Sequence, residues 1–158
     1  MGIDRYTPAI ETHSSATHTV ANVGPLAELG RYEIEVTALQ RTLRGKVFLK
    51  HLLGLTSMEV SLTRLAAGES VPFLHRHRAH EELYIVTDGR GQMQVDGETF
   101  ALAEGSVVRV APGGARAIRA AADCTLGFVC IQAREGSMSA AEAKRDWLTV
   151  EGGVAWPG

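Results

Sequence analysis

From Ser57 onward, apolar and polar positions follow the period of a β-strand. Met58, Val60 and Leu62 alternate with Glu59, Ser61 and Thr63, and Ala67-Gly68 then turns the chain. Leu83 to Thr87 is apolar on both faces, as expected of a strand sandwiched in a core. Gln92 to Val95 runs into Asp96-Gly97, the strongest short hairpin signal in the chain. Thr99 to Leu102 follows, Glu104-Gly105 turns, and Val107–Val110, Ala117–Ala120 and Thr125–Ala133 complete the set. Short, evenly spaced strands punctuated by glycine predict a sandwich or barrel.

The flanks read differently. Residues 1–22 are rich in Thr, Ser, Ala and His without sustained periodicity, which predicts a loose arm. Pro25 to Leu29 suits a short helix with proline in its first turn. Leu43 to Leu55 reads two ways: Val47, Phe48, Leu52 and Leu53 form either a helical stripe or the first strand and turn of the barrel. Ser139-Ala-Ala-Glu142 is a capping-box signature and predicts a helix from about Ala140 to Asp146. Trp147 and Trp156 beyond it are expected to cover an exposed edge or a partner. No internal repeat is found, so one barrel unit is expected.

At 158 residues the chain suits a single domain, and its 45% apolar content is ordinary for a globular protein. The net charge of −2 gives no electrostatic case for nucleic acid or an anionic membrane. The pairs Arg76/Arg78 and Arg116/Arg119 are too sparse for a nucleic-acid patch. Without an apolar span or a basic-then-apolar leader, neither membrane insertion nor export is expected. Cys124 and Cys130 are then expected to be free thiols in a reducing cytoplasm, with Cys130 a small core residue. There is no G-x-S-x-G elbow, phosphate-binding glycine loop or dinucleotide fingerprint.

The chemistry concentrates in His75-Arg-His77-Arg-Ala-His80-Glu81-Glu82. Two histidines one residue apart on a strand project to one side, and a carboxylate after a turn can close on the same point. Two imidazoles and a carboxylate suit Zn, Fe, Mn or Ni, and with open positions they form the facial triad of non-haem iron chemistry. The bland alternative is a pair of surface histidines flanking a turn, with Glu82 facing water. Residue types and spacing alone leave both readings open. His80 reads as a solvated loop histidine, or else as an additional ligand. His13, His18 and His51 have no local constellation and read as structural or exposed.

The run His75-x-His77-x4-Glu82-x6-Gly89 resembles the first motif of the cupin superfamily, G-x5-H-x-H-x3,4-E-x6-G, with one extra residue between Gly68 and His75. By this resemblance His75, His77 and Glu82 are metal ligands, and Glu81 faces the other way. The second motif, G-x5-P-x-G-x2-H-x3-N, is matched in frame from Gly105, with Ala111 at the first proline and Gly113 at the glycine. Arg116 stands at the fourth ligand position. Arginine stays protonated and cannot ligate a metal.

The resemblance covers about residues 55–133, and its wording looks like that of the small single-domain bacterial cupins. It implies an all-β fold, a double-stranded β-helix or jelly-roll barrel, with an N-terminal arm (1–30), the barrel (31–136) and a C-terminal helix and tail (137–158). It also implies homodimers formed by pairing outer strands. No helix-turn-helix segment accompanies the barrel, which removes a transcription-factor reading.

Arg116 has three readings. It pairs with Glu82 in place of a metal, or it sits beside a three-ligand metal and binds an anionic substrate, or it points outward. Tyr84 should share the inward face of Glu82, either as core or as a phenol that orients substrate or shuttles a proton. The functional expectation is a metal-dependent enzyme of dioxygenase, isomerase or decarboxylase type acting on a small anion. The alternative is a non-catalytic sensor or carrier with an Arg116–Glu82 pair and no metal, and a scaffold role is weaker still.

Overall fold

The computed structural model describes residues 6–36 and 40–157; the first five residues of the expected arm lie outside them. In chain order the elements begin with β1 (Tyr6–Thr7), β2 (Thr12–Ser14), β3 (Thr19–Ala21) and a 3-10 helix (Leu26–Arg31). Then come β4 (Glu33–Val36), β5 (Arg41–Arg44), β6 (Lys46–Phe48) and α1 (Leu49–Leu53). The barrel continues through β7 (Met58–Leu65), β8 (His80–Val95), β9 (Glu98–Ala103), β10 (Val107–Val110), β11 (Arg116–Ala120) and β12 (Leu126–Arg134), and α2 (Ala140–Arg145) follows. The path β10-β8-β12-β7-β6, with β9 and β11 also paired to β8, closes an antiparallel double-stranded β-helix.

β8 organises the barrel because it serves both sheets. Its first half pairs with β10 and β12, and its second half with β9 and β11. The change of partners falls at Gly89, whose φ is 81°, beside a register shift opposite Gly127/Phe128. A Cβ on Gly89 would come within 1.9 Å of the Thr125 carbonyl oxygen, so only glycine admits this approach. β8 and β9 join through Asp96-Gly97, with Val95 opposite Glu98 and φ of 48° and 89° at the two loop residues. Positive φ at both is the geometry of a primed two-residue hairpin.

The ambiguous Leu43–Leu55 segment is both strand and helix, with β6 passing directly into α1. On β6, Val47 is fully buried on one face, against Leu29 and Tyr32, while Lys46 and Phe48 face the barrel cavity. The segment expected to be a loose arm carries short strands instead. β1 pairs with β4, β2 with β3, and Tyr6, Ile10 and Val23 pack on the same cluster as Val47. This layer covers the outer side of β7, where Leu62 joins that cluster, so the inner face of β7 is the polar one: Glu59 and Ser61 line the cavity. The barrel's apolar core gathers Met93, Leu102, Ile118, Leu126 and Phe128.

At the C-terminus the Ser139/Glu142 capping box forms as expected and α2 ends at Arg145. Trp147 and Trp156 are 71% and 85% exposed and cover no edge of their own chain. Among the described residues, no helix is long and apolar enough to cross a membrane.

Candidate metal centre

His75 lies in an extended segment rather than in a full strand, forming a single bridge with Arg116 at the start of β11. The Arg116 amide donates to the His75 carbonyl at 2.9 Å, and the His75 amide donates back at 3.2 Å. The His77 carbonyl then accepts from the Gly113 amide at 2.8 Å. The segment bearing the histidines is thus clamped to the loop that leads into β11, and Arg116 stands directly opposite His75. From β8, alternation sends Glu82, Tyr84 and Val86 inward, all of them buried. Glu81 turns outward and pairs with Arg109, as expected.

Ligand atoms of His75, His77 and Glu82 lie within 4.8 Å of one another. His77 Nε2 donates to Glu82 Oε1 at 2.9 Å. The other carboxylate oxygen, Oε2, accepts from the Tyr84 hydroxyl at 2.6 Å and from Arg116 Nε at 2.9 Å. Arg116 Nη1 donates to the Gly114 carbonyl at 3.1 Å. Arg116 Nη2 lies in ion-pair contact with Oε2, at an angle that makes no hydrogen bond. The Arg116 side chain is 1% exposed, which overturns the outward-pointing reading.

This donor set fits a divalent transition metal. Adjacent ligands at bond lengths of about 2.1 Å stand about 3 Å apart around an octahedral ion. The 2.9 Å separation of His77 Nε2 from Glu82 Oε1 matches such an edge, with a proton where the cation would sit. His75 Nδ1 is buried without a partner, a cost that a bound ion or ligand would relieve. Arg116 acts on the far oxygen of the carboxylate and leaves Oε1 to face the histidines.

The electrostatics agree with this arrangement. Burial pushes the Glu82 carboxyl up, but hydrogen bonds from Tyr84 and Arg116 outweigh it and hold the group below its ordinary value. Burial, then the Arg116 charge, lowers His75 and keeps its imidazole neutral, the form that ligates. Burial beside Glu82 drives the Tyr84 hydroxyl upward, so it donates and does not ionise. Burial and Glu82 push the Cys130 thiol up to about 12, leaving a protonated core thiol rather than a nucleophile.

Of the residues singled out from sequence, His75, His77, Glu82, Tyr84 and Arg116 converge on one end of the barrel. His80 does not join the ligand group. It is the first residue of β8, and its ring packs edge-on against His77 with centroids 6.4 Å apart. Sequence reasoning missed Lys46 and Glu59, which line a cavity of about 120 Å³ together with His75, Glu82, Tyr84 and Arg116. The signal was present in the alternation Lys46-Val47-Phe48, which sends Lys46 inward once Val47 is assigned to the outer layer.

The family profile described as a cupin domain matches residues 61–132. A cupin protein from Bacteroides fragilis is 40% identical, over 70% of this chain and 89% of that one, with a TM-score of 0.59. The chain belongs to the cupin superfamily. A protein from Photorhabdus luminescens is 15% identical over 57% of this chain and 74% of that one, with a TM-score of 0.50. A predicted oxalate decarboxylase from Thermotoga maritima is 24% identical over 48% of this chain and 64% of that one, with a TM-score of 0.45. The Photorhabdus luminescens protein shares the fold with this chain, and neither likeness bears on its reaction. No curated protein matches the sequence.

Proposed function

We propose that this cupin is a metal-dependent protein acting on a small anionic molecule in the barrel, with His75, His77 and Glu82 holding one Fe, Mn, Ni or Zn ion. The observation that carries the reading is the convergence of three ligand atoms within 4.8 Å beside a cavity that reaches Arg116. Bound there, the ion would supply Lewis acidity and, if it is iron, access to oxygen chemistry. The protein's own groups do the rest. Tyr84 and Arg116 fix the Glu82 carboxylate in one orientation, as partners behind metal ligands do. The Arg116 guanidinium, in the cavity wall, orients an anionic substrate. Tyr84 is a positioning residue, because its only hydroxyl proton is spent on Glu82.

A second reading has one observation in its favour. The Arg116–Glu82 pair already neutralises the carboxylate, and a binding module with no metal would need nothing more. Elemental analysis of untagged protein grown in metal-supplemented medium separates the two readings. The enzyme reading expects about one transition-metal ion per chain, lost in His75→Ala. Substoichiometric metal indifferent to that substitution would leave the binding module.

A further inference from the structure

Lys46 belongs to neither cupin motif. It lies on β6 and lines the same cavity as His75, and its ammonium forms no ion pair or hydrogen bond among the described residues. Its ammonium stands over the Phe48 ring, 4.9 Å from Nζ to the centroid. Burial lowers its pKa while Glu82 and Glu59 support its charge from a distance. Two of the nearby carboxylate groups are already engaged in other contacts. Glu59 Oε1 accepts from the Lys50 and Val60 amides, both at 3.1 Å. Both Glu82 oxygens are spent on His77, Tyr84 and Arg116.

The cavity thus presents two cations: Lys46, whose three N–H groups make no hydrogen bond, and Arg116, whose Nη2 touches Glu82 Oε2 without a hydrogen bond of its own. Buried donors without acceptors are costly, and a ligand with acceptors only is what such a lining recognises. We infer that Lys46 is the specificity-determining anchor of the cavity, binding a compact carboxylate jointly with Arg116 Nη2. At about 120 Å³ the space is far below the roughly 300–1,000 Å³ of sites for drug-sized ligands, so it admits few non-hydrogen atoms. A planar carboxylate offers two acceptor oxygens in that space, one for each cation. The inference deepens the small-anion reading above but does not need the metal.

The test is calorimetric titration of the intact protein with acetate, oxalate and malonate, and with acetamide and sulfate, at constant ionic strength. Wild-type protein binds at least one carboxylate saturably, and neither acetamide nor sulfate as tightly. Lys46→Met weakens that binding about ten- to a hundredfold, the scale of a charge-assisted hydrogen bond. Lys46→Arg, which keeps the charge, retains it within a fewfold, and the exposed Lys144→Met leaves it unchanged. Thermal melts and metal content are read on the same samples, so loss of fold or metal is not mistaken for loss of the anchor. No carboxylate binding in wild type, equal binding of sulfate, equal binding by folded Lys46→Met, or loss in folded Lys46→Arg overturns the inference. Carboxylate binding that follows Lys46 in metal-free protein would uphold it while removing the metalloenzyme reading.

Discussion

The two halves of β8 use the same backbone for opposite purposes. Toward Val95 the inward residue Met93 is fully buried among Leu102, Ile118 and Leu126, a packing of apolar atoms only. Toward His80 the inward residues are Glu82 and Tyr84, which face Arg116, His75 and His77. Apolar burial stabilises in proportion to area, whereas a buried ion pair must first recover the desolvation of both charges. The apolar half is therefore where the barrel gains stability. The polar half contributes little net stability and holds side chains in fixed positions, which is what a binding site requires.

The largest expected effect comes from splitting the buried pair. Arg116→Met strands Glu82 without its cation and should lower stability by about 3–5 kcal/mol, read by chemical denaturation of metal-free protein. Adding Glu82→Gln to that variant should recover most of the loss, because the uncompensated charge, not the missing contact, carries the penalty. A double variant as unstable as the single one would break the contrast between the halves.

In the apolar half, Met93→Ala should cost about 2–5 kcal/mol through lost transfer energy and a residual cavity. No second substitution at a single site should recover it, and metal content should be unchanged. A loss of metal in this variant would mean that the halves are coupled.

Acid should act mainly on the polar half. His75 is held below its ordinary value of 6.5, so below that pH the unfolded chain takes up a proton that the folded protein refuses. Stability of metal-free protein is then complete above that pH and falls as pH drops toward the folded-state value. Glu82, held below its ordinary 4.5, extends the decline to lower pH in the same direction. Denaturation at a series of pH values should show the upper part of the decline missing in His75→Gln. The smallest effect is expected outside the barrel: Arg109→Ala breaks only the exposed pairs with Glu81 and Glu135, and its melting curve should match wild type.

Most of the barrel was legible because its signals are local. The Asp96-Gly97 hairpin, the glycine brackets and the Ser139/Glu142 cap each depend on a few neighbouring residues. The site was legible to the extent that one segment carried it: His75, His77 and Glu82 come from one short stretch, and period-two alternation separated Glu82 from Glu81. What stayed hidden depended on contacts distant in sequence. The direction of Arg116 follows from its bridge to His75, which no local pattern announces. The N-terminal strands have little periodicity of their own and are ordered by packing on Val47 and Leu62. That same layer reverses the usual reading of β7 and β6, turning Glu59, Ser61 and Lys46 into the cavity.

The most direct test of the metal centre is an anomalous-scattering experiment on crystals grown with iron or manganese, collected at the metal's absorption edge. The account predicts one peak bound by His75, His77 and Glu82, with Arg116 remaining on the far oxygen of the carboxylate. A map without that peak, with His77 Nε2 and Arg116 Nε both still donating to Glu82, would contradict it.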